Sequence, residues 1–167
     1  MTRTKSILST LFFLAPSLAL AAGGPTALGP NGGKFGDWTA ATYGSGADKA
    51  CYAFTNAMHS DPAIAKRGAV MLTVTERRGV HDEVTLTAGY PYPKDAKVSI
   101  SVNGHAMDFY TQGDTAFTAD GPGAVAAFRN GASAQAQGST PHGHMVTDDF
   151  SLAGFSGAYS AISSACS

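Results

Sequence analysis

The stretch that decides the fold is Val146 to Cys166, V-T-D-D-F-S-L-A-G-F-S-G-A-Y-S-A-I-S-S-A-C. It predicts a strand, a glycine break and a closing helix that ends in a cysteine. Val146, Asp148, Phe150 and Leu152 share one strand face, because side chains alternate along a strand. After Gly154, the residues Phe155, Ala158, Tyr159 and Ile162 recur at helical spacing, so a second apolar surface follows at once. Cys166 stands at the end of that helix, and the only other cysteine, Cys51, lies far upstream. A bond between the two would staple the last helix to the start of the domain.

Working back from the tail, the same alternation recurs. Lys97 to Tyr110 predicts a hairpin, since Asn103-Gly104 is the preferred pair for a two-residue type I′ turn. That turn pairs Val102 with His105, Ile100 with Met107, and Val98 with Phe109, all on one face. His105 then sits at the turn end as a rim or core histidine rather than a catalytic one. Val70, Leu72 and Val74 alternate with Met71, Thr73 and Thr75, and Val84 and Leu86 alternate with Thr85 and Thr87, which predicts two half-buried strands. Thr39 to Tyr43, Cys51 to Met58, Thr115 to Thr118 and Ala132 to Gln137 supply further strands. A short helical turn is expected at Ile64–Arg67. Ala124 to Asn130 reads as a short helix stopped by Gly131. The expected fold is mainly β: an antiparallel, sandwich-like single domain with two short helices, the last at the C-terminus.

The first residues read differently. Arg3 and Lys5 precede an apolar run from Ile7 to Leu20, and Ala19-Leu20-Ala21 supplies small residues at a cleavage site, so residues 1–21 are expected to be a signal peptide. Residues 22–34 are dense in Gly and Pro and predict a flexible leader, with the domain beginning at residue 35. Removing residues 1–21 takes away Arg3 and Lys5 and no acid, leaving 9 basic against 12 acidic residues, a formal charge of −3. That balance excludes a nucleic-acid role, which needs a basic face to displace counterions. No second apolar stretch approaches membrane length, so no stable membrane insertion is expected after cleavage. Only 14 % of residues are charged, well under the usual quarter. Two cysteines in an exported chain favour a disulfide over a metal site or a nucleophile, the alternative being two buried thiols.

F-G-D-W at 35–38, the Gly89-Tyr90-Pro91 turn, the Asn103-Gly104 hairpin, Gly113-Asp114-Thr115-Ala116-Phe117 and D-D-F-S-L-A-G-F-S-G-A ending in Cys166 come in order. Together they resemble the invasion-associated locus B family of exported bacterial proteins, over about residues 34–167. The resemblance implies an exported β-sandwich-like domain of the periplasm or envelope, in some relatives linked to host-cell entry. It implies no catalytic residue and no cofactor. The chain departs from the family pattern in three places. Relatives carry a cysteine soon after F-G-D-W, where this chain has Thr39-Ala40-Ala41-Thr42. They carry Trp where Phe117 stands, and a Ser-x-Arg-Gly-Thr pattern where this chain reads Ser139-Thr140-Pro141-His142-Gly143-His144.

Two constellations remain as candidate sites. His142, His144 and Asp148 share one face if the last strand runs back through Gly143. The histidines would then lie about 6–7 Å apart by strand rise, a spacing compatible with two ligands on Zn²⁺ or Cu²⁺. The alternative for Asp148 is a semi-buried carboxylate satisfied by hydrogen bonds. Tyr90 and Tyr92, in Tyr90-Pro91-Tyr92-Pro93, are the best-exposed candidates for contact with a partner. Trp38, Tyr43 and Tyr52 join them as aromatics able to line a glycan or peptide surface or else to pack inside. His59 and His81 read as loop residues. Nothing supports nucleophilic catalysis: Gly154-Phe155-Ser156-Gly157 has its second glycine one place early for G-x-S-x-G, and Asp148 and Asp149 face opposite ways. The expected function is non-catalytic interaction with an unidentified envelope or host protein, with periplasmic metal binding through His142 and His144 as the alternative.

Overall fold

A computed structural model describes residues 24–167, so the expected signal peptide lies outside the described residues. Twelve strands are joined in one antiparallel sheet: β1 Thr26–Ala27, β2 Lys34–Phe35, β3 Trp38–Tyr43, β4 Ala50–Asn56, β5 His59–Asp61, β6 Met71–Arg77, β7 Val80–Thr87, β8 Lys97–Val102, β9 His105–Gln112, β10 Thr115–Thr118, β11 Ser133–Ser139 and β12 Met145–Ser151. Among the described residues three α-helices accompany them: α1 Pro30–Gly33, α2 Gly121–Asn130 and α3 Phe155–Cys166. The strand order is β1-β3-β4-β6-β7-β10-β9-β8-β11-β12-β5, with β2 paired to β3.

The register of the 97–112 hairpin is the expected one: Val102 opposes His105, Ile100 opposes Met107 and Val98 opposes Phe109. Asn103 and Gly104 both hold positive φ, 52° and 81°, as a type I′ turn requires. Val98, Ile100, Val102 and Phe109 are buried while His105 is exposed at the turn end. Alternation likewise sends Leu72 and Val74, Val84 and Leu86, and Ala53 inward to a single core. Phe155, Ala158 and Ile162 of α3 and Val125 and Phe128 of α2 join that core, so both helices cover the inner face of the sheet.

The sheet is continuous, and it curls around its core until β12 reaches the first strands. Met58 N–H donates to Asp149 O at 2.8 Å and Asp37 N–H to Ala153 O at 3.0 Å. The Trp38 indole N–H donates to Ser151 O at 3.0 Å. The strands thus form one continuous antiparallel sheet, and the layer packed on its inner face is α2 and α3. At this seam the F-G-D-W stretch and the Ala153-Gly154-Phe155 break meet. Trp38, fully buried, stacks edge-on against Phe155 at 4.8 Å. Gly154 holds φ 90°, and any Cβ there would collide with Phe35 O, so this junction demands glycine.

Residues expected to form a flexible leader differ from that reading where they are described. Thr26 and Ala27 pair with Thr42 and Ala41, and Leu28 N–H donates to Ala40 O at 2.9 Å. Glycines that read as flexibility instead serve tight turning, with Asn31 and Gly32 both left-handed inside α1. The 24–34 segment finishes the free edge of β3, where unpaired backbone groups would otherwise face solvent. The Cys51–Cys166 disulfide is formed, with Cα atoms 5.9 Å apart.

Candidate functional site

The expected metal triad does not assemble. Asp148 is carried on the inward face of β12 and is buried. Its carboxylate is taken by Arg67: Nη1 donates to Oδ1 at 2.6 Å and Nη2 to Oδ2 at 2.8 Å. Ser60 Oγ donates to Oδ1 at 2.6 Å. The expectation that the strand runs back through Gly143 fails because Gly143 adopts φ 78° in a turn, and β12 starts only at Met145. Gly143 N–H donates to Thr140 O at 2.9 Å and Thr140 N–H to His144 O at 2.8 Å, a closed loop that sets both histidines at the surface. Among the described residues no three His, Cys, Asp or Glu side chains stand close enough to share an ion.

What the structure assembles instead is a groove of about 330 Å³. One wall is the loop after β5, with Pro62, Ile64 and Ala65; the other is the 140–144 loop, with Pro141, His142 and His144; Tyr90 closes the end. Arg67 forms the floor. Its Nε donates to Ala88 O at 2.6 Å, and its guanidinium lies over the Tyr90 ring at 4.8 Å. Arg67 and Asp148 side chains are 6 % and 5 % exposed, so this is a buried, bidentate pair, with four guanidinium hydrogen bonds to Ala88, Ser60 and Asp148. One arginine therefore ties the post-β5 loop, the Ala88–Tyr90 turn and β12 together beneath the groove. The expected helical turn at Ile64–Arg67 is a single β-turn instead, closed by Arg67 N–H donating to Ile64 O at 3.4 Å, with Lys66 left-handed at φ 60°.

Tyr90 and Tyr92 separate in role. Tyr90 lines the groove; its phenol is pushed up chiefly by burial, with Arg67 pulling the other way and Asp148 adding to the rise. Tyr92 packs against the core cluster rather than offering a surface. Burial drives its phenol far above the ordinary range, and the neighbouring Tyr90 adds to the effect. The two rings meet edge to face at 5.7 Å.

A second buried carboxylate escaped the sequence reading. Glu76 lies inward on β6. Its Oε2 is 2.8 Å from His81 Nδ1, and its Oε1 accepts from Asp82 N–H at 3.1 Å. A carboxylate oxygen accepts, so in this contact the donor is His81 Nδ1–H. His81 is a strand residue of β7, not a loop residue as expected. Tyr159 Oη donates to Asp82 Oδ1 at 2.6 Å. Burial raises the Tyr159 phenol, and that bond reinforces the rise. The spacing of Glu76 and His81 across a Gly79 turn was the available signal for this pair. For Arg67 and Asp148 no local signal exists.

No family model matches the chain, and neither a curated protein nor a solved structure matches it.

Proposed function

We propose that this is an exported, non-catalytic interaction protein of the bacterial envelope, as the resemblance to invasion-associated locus B proteins implies, and that the groove between the post-β5 and 140–144 loops receives its partner. The carrying observation is the groove's construction. Pro62, Ile64, Ala65 and Pro141 make its walls mainly apolar, with Lys66, His142 and His144 beside them, and its ionisable floor is spent on internal bonds between Arg67, Asp148 and Ser60. A floor so committed fixes shape, as a binding site needs, and leaves neither charge free to move a proton. The disulfide fits an oxidising compartment, in keeping with the leader-like residues 1–21.

The test is capture of a partner by the tagged, exported chain from the envelope fraction, compared with Ile64→Asp, which places a charge on one wall without touching Arg67. A near-stoichiometric partner held by the native chain and lost by Ile64→Asp is the expected result. Capture indifferent to Ile64→Asp would remove the groove from the reading. The metal alternative retains only His142 and His144 as neighbours on one wall. It requires Zn²⁺ or Cu²⁺ to raise the melting temperature, with the rise lost in the double variant His142→Ala/His144→Ala.

A further inference from the structure

The face of the sheet turned away from the core carries a second, independent surface. Register places five side chains in one cross-strand row: Phe54 opposes Thr73, Thr73 opposes Thr85, Thr85 opposes Phe117, and Phe117 opposes Tyr110. Their chain neighbours Ala53, Leu72, Val84, Ala116 and Phe109 are buried, so the row points outward. It crosses five strands, a span of about 19 Å at the usual strand spacing. Both helices pack on the opposite side of the sheet.

The row is aromatic at its ends and hydroxylic in the middle. Tyr110 and Phe117 stack at 5.6 Å with planes only 19° apart. Tyr110 nevertheless remains 58 % exposed, one of the largest apolar exposures on the molecule. At the far end Tyr52 and Phe54 lie 6.1 Å apart, tilted by 30°. Clefts of about 440 and 260 Å³ flank Tyr110 on its two sides. Asp95 and Asp108 line the first with Lys97, and Asp82 and Glu83 line the second.

We infer that this row binds an uncharged oligosaccharide, with sugar rings lying on the Tyr110–Phe117 platform and the chain running across Thr85 and Thr73 toward Phe54. A pyranose presents an apolar C–H face and a hydroxyl edge. The C–H face suits the electron-rich face of an aromatic ring. Its hydroxyls find acceptors in the Asp95 and Asp108 carboxylates, and in Glu83 beside its bond to Arg77, and mixed partners in the threonines. The same charges decide against the other ligands that stack on aromatics. A nucleic acid needs a positive track for its phosphates, and here Asp95, Asp108, Asp82 and Glu83 line the two clefts against Lys97 alone, Arg77 being spent on Glu83. The length of the row selects an oligomer over a monosaccharide.

The experiment is titration of the whole chain, followed by NMR chemical shifts and by calorimetry, with cellohexaose, chitohexaose and mannohexaose. A thymidine oligonucleotide and a proline-rich peptide serve as competing ligand classes. At least one hexaose is expected to bind and to shift amides of β9, β10 and β7. Tyr110→Ala, at a side chain exposed enough to leave the fold intact, weakens it at least about tenfold, the loss of one good stacking contact. Tyr110→Phe retains binding, and Ile64→Asp in the groove leaves it unchanged. Phe54→Ala brings the affinity for the hexaose down to that for the corresponding disaccharide. Failure of all three hexaoses, binding indifferent to Tyr110→Ala, or preferential binding of the oligonucleotide or peptide at this row would each overturn the assignment.

Discussion

Two inward-facing carboxylates, Asp148 on β12 and Glu76 on β6, are buried to the same degree and held in opposite ways. Asp148 faces an arginine as buried as itself, through two parallel hydrogen bonds and a serine. Glu76 faces a histidine whose side chain is 63 % exposed, and leans on a backbone N–H for its other oxygen. Arginine keeps its charge at every pH a protein survives, and its rigid fork fits one carboxylate geometry. A histidine is charged only when protonated, and an exposed one is screened by water. The difference teaches that equal burial does not mean equal commitment. The Asp148 centre fixes the shape of the groove, whereas the Glu76 centre lies where covalent chemistry already does the holding, because Cys51 directly opposes Glu76 across β4 and β6.

The sharpest way to break this contrast is Arg67→Ala, which strands a buried carboxylate. It is expected to cost about 3–5 kcal/mol, read as a fall in the urea midpoint at unchanged slope. The double variant Arg67→Met/Asp148→Leu recovers most of that loss, since two apolar groups need no partner. A double variant as unstable as the single one would show that shape, not charge, is what Arg67 supplies. Next in size, Cys51→Ala/Cys166→Ala is expected to cost about 2–4 kcal/mol, and calorimetry of both forms checks it. Third, His81→Ala should lower stability by no more than about 1 kcal/mol, given its exposure. If it costs as much as Arg67→Ala, the two centres are equivalent and the contrast collapses.

The smallest effect concerns alkaline pH. Tyr90, Tyr92 and Tyr159 all hold their phenols above the ordinary value, burial being the main cause in each. Unfolding returns them to the usual value near 10, so as pH rises the unfolded chain loses these protons first. Their contribution is therefore intact below about pH 10 and declines above it. Tyr92→Phe removes the largest share and moves the alkaline unfolding midpoint upward, as circular dichroism against pH will record. A midpoint that stays in place would mean that another group governs alkaline unfolding.

Much of the frame was legible because it depends on short-range rules. Asn103-Gly104 fixed a hairpin register, period-two alternation marked β6 and β7, and the Phe155–Ile162 spacing marked α3. The disulfide followed from cysteine count and expected compartment. The site was less legible, for a physical reason. Arg67 and Asp148 meet across 81 positions, and only the curling of the whole sheet brings them together. His142, Gly143 and His144 looked like strand continuation because alternation cannot register a positive φ at Gly143. The outward row was hidden differently. Phe54, Thr85 and Tyr110 are ordinary strand residues one by one, and become a surface only when registers across five strands are composed.

The disulfide has a mechanical consequence. Residues 51 to 166 form a covalent ring, and β1, β2 and β3 lie outside it. Tension applied between residue 24 and residue 167 runs through the first strands to Cys51, crosses one sulfur bridge, and leaves at Cys166. Strands β5 to β12 are bypassed by that load path, including both walls of the groove, β12 with Asp148, and the Thr85–Phe117–Tyr110 part of the outward row. Such a pull therefore loads β1, β2 and β3 first, together with the seam that Trp38 makes with Ser151 and Phe155, while the groove and the outward row lie outside its path.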